Sequence, residues 1–194
     1  MLLAISGSPK KKSNTTSVLN HLIHKCSEHQ IPHHLIELAE LNIKPCLDCG
    51  SCRNTLQCPI NDDFNKLLQI FQKAKVIVLG SPVYFGSVTA QLKALMDRTV
   101  LLRRNTAILA NKFGAGIAIG GSRNGGQELT LQTIHNWMFI HGMFVFSDAT
   151  PTSHFGGALQ GRGSEEALKD QIGMETVENL AKNIINIYEK SKSK

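Results

Sequence analysis

The sequence has no apolar run long enough to cross a membrane. Its longest runs, such as Val76–Leu79, have the length of a β-strand, whereas a spanning helix needs about 20 consecutive apolar residues. The first residues reach Gly7 without a basic leader or an extended apolar segment, so the sequence predicts no signal peptide and a cytoplasmic protein. We therefore expect no membrane partner.

Cysteine is scarce and unevenly placed. The chain of 194 residues contains five cysteines. This is about 3% of its residues, far below the roughly 8–10% typical of a disulfide scaffold. A single domain of this length, predicted over 1–194, builds a full core without disulfides. Four of the five cysteines nevertheless fall between Cys46 and Cys58. In a reducing compartment such crowding indicates metal binding or redox chemistry.

Aromatic residues and long basic segments are also few. With two tyrosines and one tryptophan, the chain has little surface on which nucleic-acid bases could stack. The net charge is +6, but the basic clusters within the body of the chain are short, as at Lys10–Lys12. We therefore expect no nucleic-acid partner.

Short apolar runs alternate with longer amphipathic stretches, a pattern typical of a parallel sheet with crossover helices. The predicted strands are Leu2–Ser6, His33–Leu38, Val76–Gly80, Gly114–Ile119 and Met143–Ser147. The predicted helices are Thr15–Glu28, Phe64–Ala74, Val88–Leu102, Glu128–His141 and a last one that follows a glycine-rich connection at 156–163 and ends near Glu189. This alternation predicts a doubly wound α/β domain with a five-stranded parallel sheet in the order 2-1-3-4-5. In that order, ligands bind where the loops after strands 1 and 3 meet.

The loop after strand 1 is rich in hydroxyls and lysines. It reads Ser-Gly-Ser-Pro-Lys-Lys-Lys-Ser-Asn-Thr-Thr over 6–16 and joins a strand to a helix. Backbone N–H groups at the helix start therefore converge with polar side chains, an arrangement that favours a bound phosphate. An ordinary strand-to-helix turn with capping hydroxyls is the alternative interpretation.

Two further loops lie on the same predicted edge of the sheet. Residues 80–87 read Gly-Ser-Pro-Val-Tyr-Phe-Gly-Ser, in which two adjacent aromatic rings either face a flat ligand or serve only in packing. Residues 120–126 read Gly-Gly-Ser-Arg-Asn-Gly-Gly, where Arg123 either meets an anionic group or faces water. A phosphate cradle beside an aromatic wall favours FMN. A dinucleotide fits less well because no acidic residue stands where the dinucleotide fingerprint places its ribose ligand.

The cysteine cluster gives the most specific signal. Cys46, Cys49, Cys52 and Cys58 follow the spacing C-x2-C-x2-C-x5-C-P, which is close to a bacterial ferredoxin motif. The longer last spacing lets Cys58 return as the fourth ligand of one [4Fe–4S] cluster. Zinc is an alternative, although its structural sites more often consist of two separated pairs. Thiols that hold no metal are another.

Other chemically capable residues have simpler explanations. Cys26 lies on the apolar stripe of the first helix and is expected in the core. Asp62 and Asp63 precede the second helix and are expected to cap it. The eight histidines show no spacing typical of a metal site.

These segments together resemble the iron-sulfur flavoproteins of the NADPH-dependent FMN reductase superfamily. The resemblance covers roughly residues 1–126. It rests on Ser6–Pro9 with Ser13–Thr15, the cysteine insert at 44–60 with Asp62–Asp63, Gly80–Gly86, Leu92–Lys93 and Asp97–Arg98. The resemblance implies a flavodoxin-like fold, FMN, a [4Fe–4S] cluster on the insert after strand 2, and a homodimer or dimer of dimers.

The resemblance also implies which residues hold each cofactor. The FMN phosphate is assigned to Ser8, Ser13, Asn14, Thr15 and Thr16, and the isoalloxazine to Pro82, Val83, Tyr84, Phe85 and Gly86. The cluster is assigned to Cys46, Cys49, Cys52 and Cys58. From the third loop on this edge, Gly121, Ser122 and Gly125 complete the predicted flavin site.

The predicted function is electron transfer between flavin, a [4Fe–4S] cluster and a partner such as ferredoxin or another small carrier, or a quinone. No side chain is required as a catalytic acid or base, because the cofactors carry the chemistry. One alternative is a plain NAD(P)H-dependent FMN or quinone reductase without a functional cluster. The other is a non-enzymatic module built around zinc.

Overall fold

In the computed structural model, which describes residues 1–163 and 165–192, apolar runs form strands and amphipathic stretches form helices. The strands are β1 Leu2–Ser6, β2 His33–Glu37, β3 Val76–Pro82, β4 Phe113–Gly120, β5 Phe144–Val145 and β6 Gly157–Gln160. The helices are α1 Asn14–Ser27, α2 Phe64–Lys73, α3 Ala90–Arg98, α4 Val100–Arg104, α5 Gln127–Ile140 and α6 Gln171–Lys192. The predicted α/β class is confirmed.

The sheet has the order β2-β1-β3-β4-β5, and each neighbouring pair is parallel. This confirms the predicted strand order. Ser6 lies opposite Gly80 at the ends of β1 and β3, and the N–H of Gly7 donates to the Gly80 carbonyl at 2.7 Å. The loops that follow these two strands therefore begin side by side.

Both faces of the sheet are buried, which explains why its central strands are continuous apolar runs. Along β1, Leu2 and Ala4 pack toward one core, while Leu3 and Ile5 pack toward the other. The first core is completed by α1 and α6, and the second by α2, α3 and α5. The two helical layers leave the carboxyl ends of the strands as the edge where loops collect.

The predicted fifth strand is divided into two pieces. Only Phe144–Val145 of the expected Met143–Ser147 pairs with β4, and β6 continues along the same neighbour from within the glycine-rich connection. Glycine permits this close approach, because a Cβ on Gly157 would lie 2.9 Å from Ile117 Cγ1. Gly156 has φ +141°, and a Cβ there would lie 2.5 Å from the Gly116 carbonyl oxygen.

The predicted third helix is also divided. It was expected over Val88–Leu102, whereas α3 ends at Arg98 and α4 begins after Thr99. The Thr99 hydroxyl donates to the Met96 carbonyl at 2.5 Å and accepts from Trp137 Nε1 at 2.9 Å. Thr99, at the break between α3 and α4, thus links this chain segment to α5. No helix within the described ranges is long and apolar enough to span a bilayer.

Candidate functional site

A cavity of about 420 Å³ opens at the carboxyl ends of β1 and β3. Its size falls within the range of about 300–1,000 Å³ typical of small-molecule sites. The sequence-predicted residues that line it are Ser8, Ser13, Asn14, Thr15, Pro82, Val83, Tyr84 and Gly121. The other residues that line it are Lys10, Lys12, Ile119, Gly161, Arg162 and Gly163. The predicted loops therefore meet around one space.

The N-terminus of α1 forms the polar end of this cavity. Ser13 is the N-cap, and its hydroxyl accepts the N–H of Thr16 at 3.1 Å. The first turn itself contains no acidic residue, and the helix end carries a partial positive charge. Lys10 and Lys12 line the same end. This arrangement suits an anion such as a phosphate group.

Two of the predicted phosphate ligands are engaged within the protein. The side-chain amide of Asn14 donates to the Gly163 carbonyl at 2.7 Å, and its oxygen accepts the N–H of Ala167 at 3.0 Å. Thr16 does not line the cavity; its hydroxyl donates to the Glu37 carboxylate at 3.0 Å. Asn14 therefore ties α1 to the segment after β6, and Thr16 supports the loop from behind.

Arg162 is a cavity residue that the sequence analysis did not find. Its Nε donates to the Gly121 carbonyl at 2.7 Å, which holds the side chain across the third loop. The Glu166 carboxylate accepts the N–H groups of Gly163 and Arg162, and these bonds lower the pKa of Glu166. The available signal was the triplet Gly-Arg-Gly directly after a four-residue run, 157–160, that could be read as a strand end.

The loop after β3 supplies the apolar wall. The N–H of Val83 donates to the Ile119 carbonyl at 2.9 Å, while Tyr84 and Ser87 exchange two backbone hydrogen bonds. Phe85 and Gly86 form the tip of this turn, with φ +51° and +72°. Phe85 is fully exposed and, like Gly86, does not line the cavity. Of the predicted ring contacts, Pro82, Val83 and Tyr84 are thus the ones at the cavity wall.

The third loop contributes less than the sequence predicts. Gly121 lines the cavity, whereas Ser122 and Gly125 do not; the Ser122 carbonyl accepts from the Gln127 side-chain amide at 2.7 Å. Arg123, whose partner the sequence analysis left open, forms an ion pair with Asp170. Burial opposes ionisation of Asp170, but hydrogen bonds from Arg123 and from backbone N–H groups outweigh it and lower its pKa.

A second, smaller cavity is lined by all four clustered cysteines. Cys46, Cys49, Cys52 and Cys58 share it with apolar residues and with the side chains of Arg98 and Arg104. The fifth cysteine, Cys26, is fully buried in the core as expected, where burial raises the pKa of its thiol to about 12. The sequence therefore separated the clustered thiols correctly from the core thiol.

The cysteine cavity is narrow. Its volume is about 20 Å³, room for roughly one water molecule. Within the described residues, no three His, Cys, Asp or Glu side chains converge to hold a single metal ion, whose sulfur ligands would lie about 2.3 Å from one centre. The four thiols nevertheless fit an iron-sulfur cluster, because apolar walls and two guanidinium groups surround them, and the Asp48 carboxylate at the same cavity pairs with Arg104. A multinuclear cluster is wider than this space.

Asp62 has a different role from the predicted helix cap. Its carboxylate accepts the N–H of Phe64 at 3.1 Å, but its main partner is Arg98, with 2.7 Å between Oδ2 and Nη1. Burial acts to raise the pKa of Asp62, and the hydrogen bonds from Arg98, Lys44 N–H and Phe64 N–H lower it overall. The carboxylate is therefore held ionised inside the protein.

Asp63 occupies the N-cap position of α2 but makes no side-chain capping bond. Its carboxylate accepts the N–H of Asn42 at 2.8 Å and the ammonium of Lys66 at 2.6 Å. The hydrogen bond from Lys66 is the main cause of its lowered pKa. The capping prediction was wrong for Asp63 because the chain before α2 turns back toward Asn42.

Comparison with known proteins gives consistent matches. A family model described as NADPH-dependent FMN reductase matches residues 1–157. An iron-sulfur flavoprotein of Methanocaldococcus jannaschii is 44% identical over 186 residues, 96% of this chain and 96% of the relative. An iron-sulfur flavoprotein of Methanosarcina thermophila is 41% identical over 188 residues, 97% of this chain and 95% of the relative.

A solved structure supports the fold independently. The WrbA-like flavodoxin of Agrobacterium tumefaciens superimposes with a TM-score of 0.61 at 16% identity. The match covers 97% of this chain and 96% of that one. The predicted flavodoxin-like fold is confirmed.

Proposed function

Because the chain belongs to the NADPH-dependent FMN reductase family, we propose that it transfers electrons between FMN, a [4Fe–4S] cluster and a small electron carrier. Flavin-dependent oxidoreduction is the coarser activity that comes with membership of the family. The observation that carries the finer proposal is the pairing of two cavities. One has an anion-binding end beside an apolar wall, and the other is surrounded by four thiols.

FMN fits the larger cavity by its chemistry. The hydroxyls of Ser8, Ser13 and Thr15 and the cations Lys10, Lys12 and Arg162 stand at the end that suits a phosphate. Pro82, Val83 and Tyr84 offer the flat apolar surface that suits the ring system. Bound flavin supplies hydride and single-electron chemistry, while the protein supplies position and electrostatics.

The four clustered cysteines are the proposed ligands of the cluster. They are the chain's only sulfur donors apart from Cys26 and the methionines, and all five cysteines are free thiols. Iron-sulfur clusters are held by cysteine thiolates. Free clustered thiols persist in a reducing compartment, so a cytoplasmic location is part of the proposal.

Helix α3 links the two cavities. At its start the Thr89 hydroxyl donates to the Gly7 carbonyl in the loop after β1, at 2.5 Å. At its end Arg98 lines the cysteine cavity. The helix has nine residues, which at about 1.5 Å per residue gives roughly 13 Å. One short helix thus separates the flavin loop from the thiols, which supports electron transfer between them.

The proposed partners are a ferredoxin or another small carrier, or a quinone, and a second copy of this chain in a homodimer or dimer of dimers. The sequence resemblance supports the assembly. An exposed apolar surface beside the flavin cavity, including Tyr84, Phe85 and Leu129, is compatible with contact to another chain.

A plain NAD(P)H-dependent FMN or quinone reductase is the second candidate function, and one observation favours it. The cysteine cavity, at about 20 Å³, holds no preformed space for a multinuclear cluster. In this candidate the thiols stay metal-free and NAD(P)H reduces the flavin directly. The zinc-based, non-enzymatic alternative loses support because the chain belongs to an oxidoreductase family.

Anaerobic purification followed by iron, sulfide, zinc and flavin analysis tests the proposal. We expect one FMN and about four irons and four sulfides per chain, directly or after reconstitution with iron and sulfide. Cys49→Ser should lower the iron content, while Cys26→Ala, which removes a thiol outside the set, should retain it. Flavin without iron in wild-type protein after reconstitution, together with rapid reduction by NADPH, would establish the second candidate instead.

A further inference from the structure

The guanidinium of Arg104, at the end of α4, faces the sulfur of Cys52. Arg104 Nη1 donates to Cys52 Sγ at 3.3 Å, and its other terminal nitrogen lies 3.5 Å from Asp48 Oδ1. The hydrogen bond to Cys52 is the main cause of the raised pKa of Arg104. This arginine therefore interacts with one of the four clustered thiols directly and with the neighbouring loop through Asp48.

The same helix end also holds the backbone of Cys52. The side-chain amide of Asn105 donates to the Cys52 carbonyl at 2.9 Å and to the Thr55 carbonyl at 3.3 Å. Arg104 and Asn105, two consecutive residues at the end of α4, thus bind both the Sγ and the backbone carbonyl of Cys52. Cys52 is therefore held against the end of α4 by both its side chain and its backbone.

The burial of the four cysteines differs in a way that matches this contact. Cys52 is buried, Cys46 and Cys58 are half-buried, and Cys49 is exposed. A buried thiolate is costly unless a charged or polar group compensates it, and Arg104 provides such a group for Cys52, the most buried of the four. The other arginine at this cavity, Arg98, donates to Asp62 and to the Lys44 carbonyl and also interacts with the half-buried Cys58.

We infer that Arg104 is a positioning residue that sets the reduction potential of the cluster through its hydrogen bond to Cys52. Adding one electron makes a thiolate-bound cluster more negative, so a guanidinium bonded to a ligand sulfur stabilises the reduced form more than the oxidised form. Arg104 thereby raises the potential and favours acceptance of an electron. The inference rests on the cluster of the proposed function.

Reduction potentials of reconstituted variants test this role. Arg104→Gln keeps a hydrogen-bond donor but removes the charge, Arg104→Lys keeps the charge without the planar fork, and Arg103→Gln removes a neighbouring exposed charge as the matched control. Each protein is loaded anaerobically with iron and sulfide, and the fraction of reduced cluster is followed by electron paramagnetic resonance in a potentiometric titration. This readout does not depend on turnover.

At a fixed potential we expect about a tenfold lower ratio of reduced to oxidised cluster in Arg104→Gln, a midpoint about 59 mV more negative for a one-electron couple. Arg104→Lys should shift less, and Arg103→Gln should match the wild type. Equal midpoints in Arg104→Gln and Arg103→Gln would overturn the inference while leaving the cluster established. If Arg104→Gln takes up no cluster, the comparison of Arg104→Lys with the control decides. A wild type that binds FMN but assembles no cluster would overturn the proposed function and this inference together.

Discussion

The carboxylate of Asp62 and the guanidinium of Arg98 form an ion pair whose side chains are 0% and 1% exposed. Arg98 also donates to the Lys44 carbonyl at 2.8 Å, and Asp62 accepts the N–H of Lys44 at 2.9 Å. Lys44 precedes the first clustered cysteine and Asp62 follows the last. The buried pair of Asp62 with Arg98 of α3 therefore closes both ends of the cysteine insert.

Replacing Asp62 by Asn should destabilise the protein strongly. The change leaves the Arg98 charge buried without its counter-ion, a loss of about 3–5 kcal/mol in the free energy of unfolding. Equilibrium unfolding in guanidinium chloride measures it. Asp63→Asn is the matched control, because the exposed pair of Asp63 with Lys66 contributes much less. Equal losses in the two variants would show that Asp62 does not fasten the insert.

Replacing Gly156 by Ala should also destabilise the fold, through the backbone. Its φ of +141° disfavours any side chain, and the new Cβ would meet the Gly116 carbonyl oxygen at 2.5 Å. Strain of this kind costs about 1–3 kcal/mol, before the displacement of β6 from β4 is counted. Gly121→Ala is the control, since its Cβ has no neighbour closer than 3.8 Å. A thermal unfolding midpoint equal to that of the control would contradict this account of the divided strand.

The central sheet was predictable from the sequence because its signal is local. β1 and β3 are short apolar runs buried on both faces, and the strand order follows from the alternation of strands with helices. The piece at β6 was not predictable in this way. Its four residues contain one glycine and follow another, which locally indicates a turn, and only pairing with β4 makes them a strand.

The site was predictable as a set of loops but not as a set of contacts. Ser8, Ser13, Asn14 and Thr16 are all polar in the sequence. In the structure, Ser8 and Ser13 line the cavity and bond neighbours within their own loop, whereas Asn14 also binds the segment after β6 and Thr16 binds Glu37. These partners lie far along the chain, so the sequence pattern carries no information about them. The place of Arg162 at the cavity was unpredictable for the same reason, because it depends on a contact with the distant Gly121.

Replacing Arg162 by Gln should weaken binding of FMN and spare binding of riboflavin. Arg162 stands at the polar end of the larger cavity, and a charge-assisted hydrogen bond contributes about 1.5–3 kcal/mol. Because the side chain is solvent-accessible, we expect the low end, roughly a tenfold increase in the Kd of FMN. Quenching of flavin fluorescence in titrations of the apoprotein measures both ligands.

Arg123→Gln is the matched control for this measurement, because Arg123 pairs with Asp170 and does not line the cavity. Its FMN affinity should equal that of the wild type, and the weakening in Arg162→Gln should shrink as salt rises, since the lost interaction is electrostatic. An equal loss of FMN and riboflavin affinity in Arg162→Gln would instead place this residue at the ring or in the support of the loop.

Buried His141 should make the fold sensitive to mild acid. The Thr99 hydroxyl donates to the Met96 carbonyl, so it accepts from His141 Nε2 at 3.0 Å; Nδ1 is buried and has no partner among the described residues. Burial, with a smaller effect of the Arg103 charge, lowers the pKa of His141 to about 4, whereas an unfolded chain titrates near 6.5. Above pH 6.5 both states are neutral and His141 has no effect. As pH falls from 6.5 toward 4 the unfolded state takes up a proton that the folded state does not, so stability decreases by up to about 3 kcal/mol.

His141→Gln removes this titration, and the free energy of unfolding should then fall less steeply across that interval. His34→Gln, at an exposed position on β2, should keep the wild-type slope. Identical slopes in wild type and His141→Gln would show that the acid sensitivity arises from other groups.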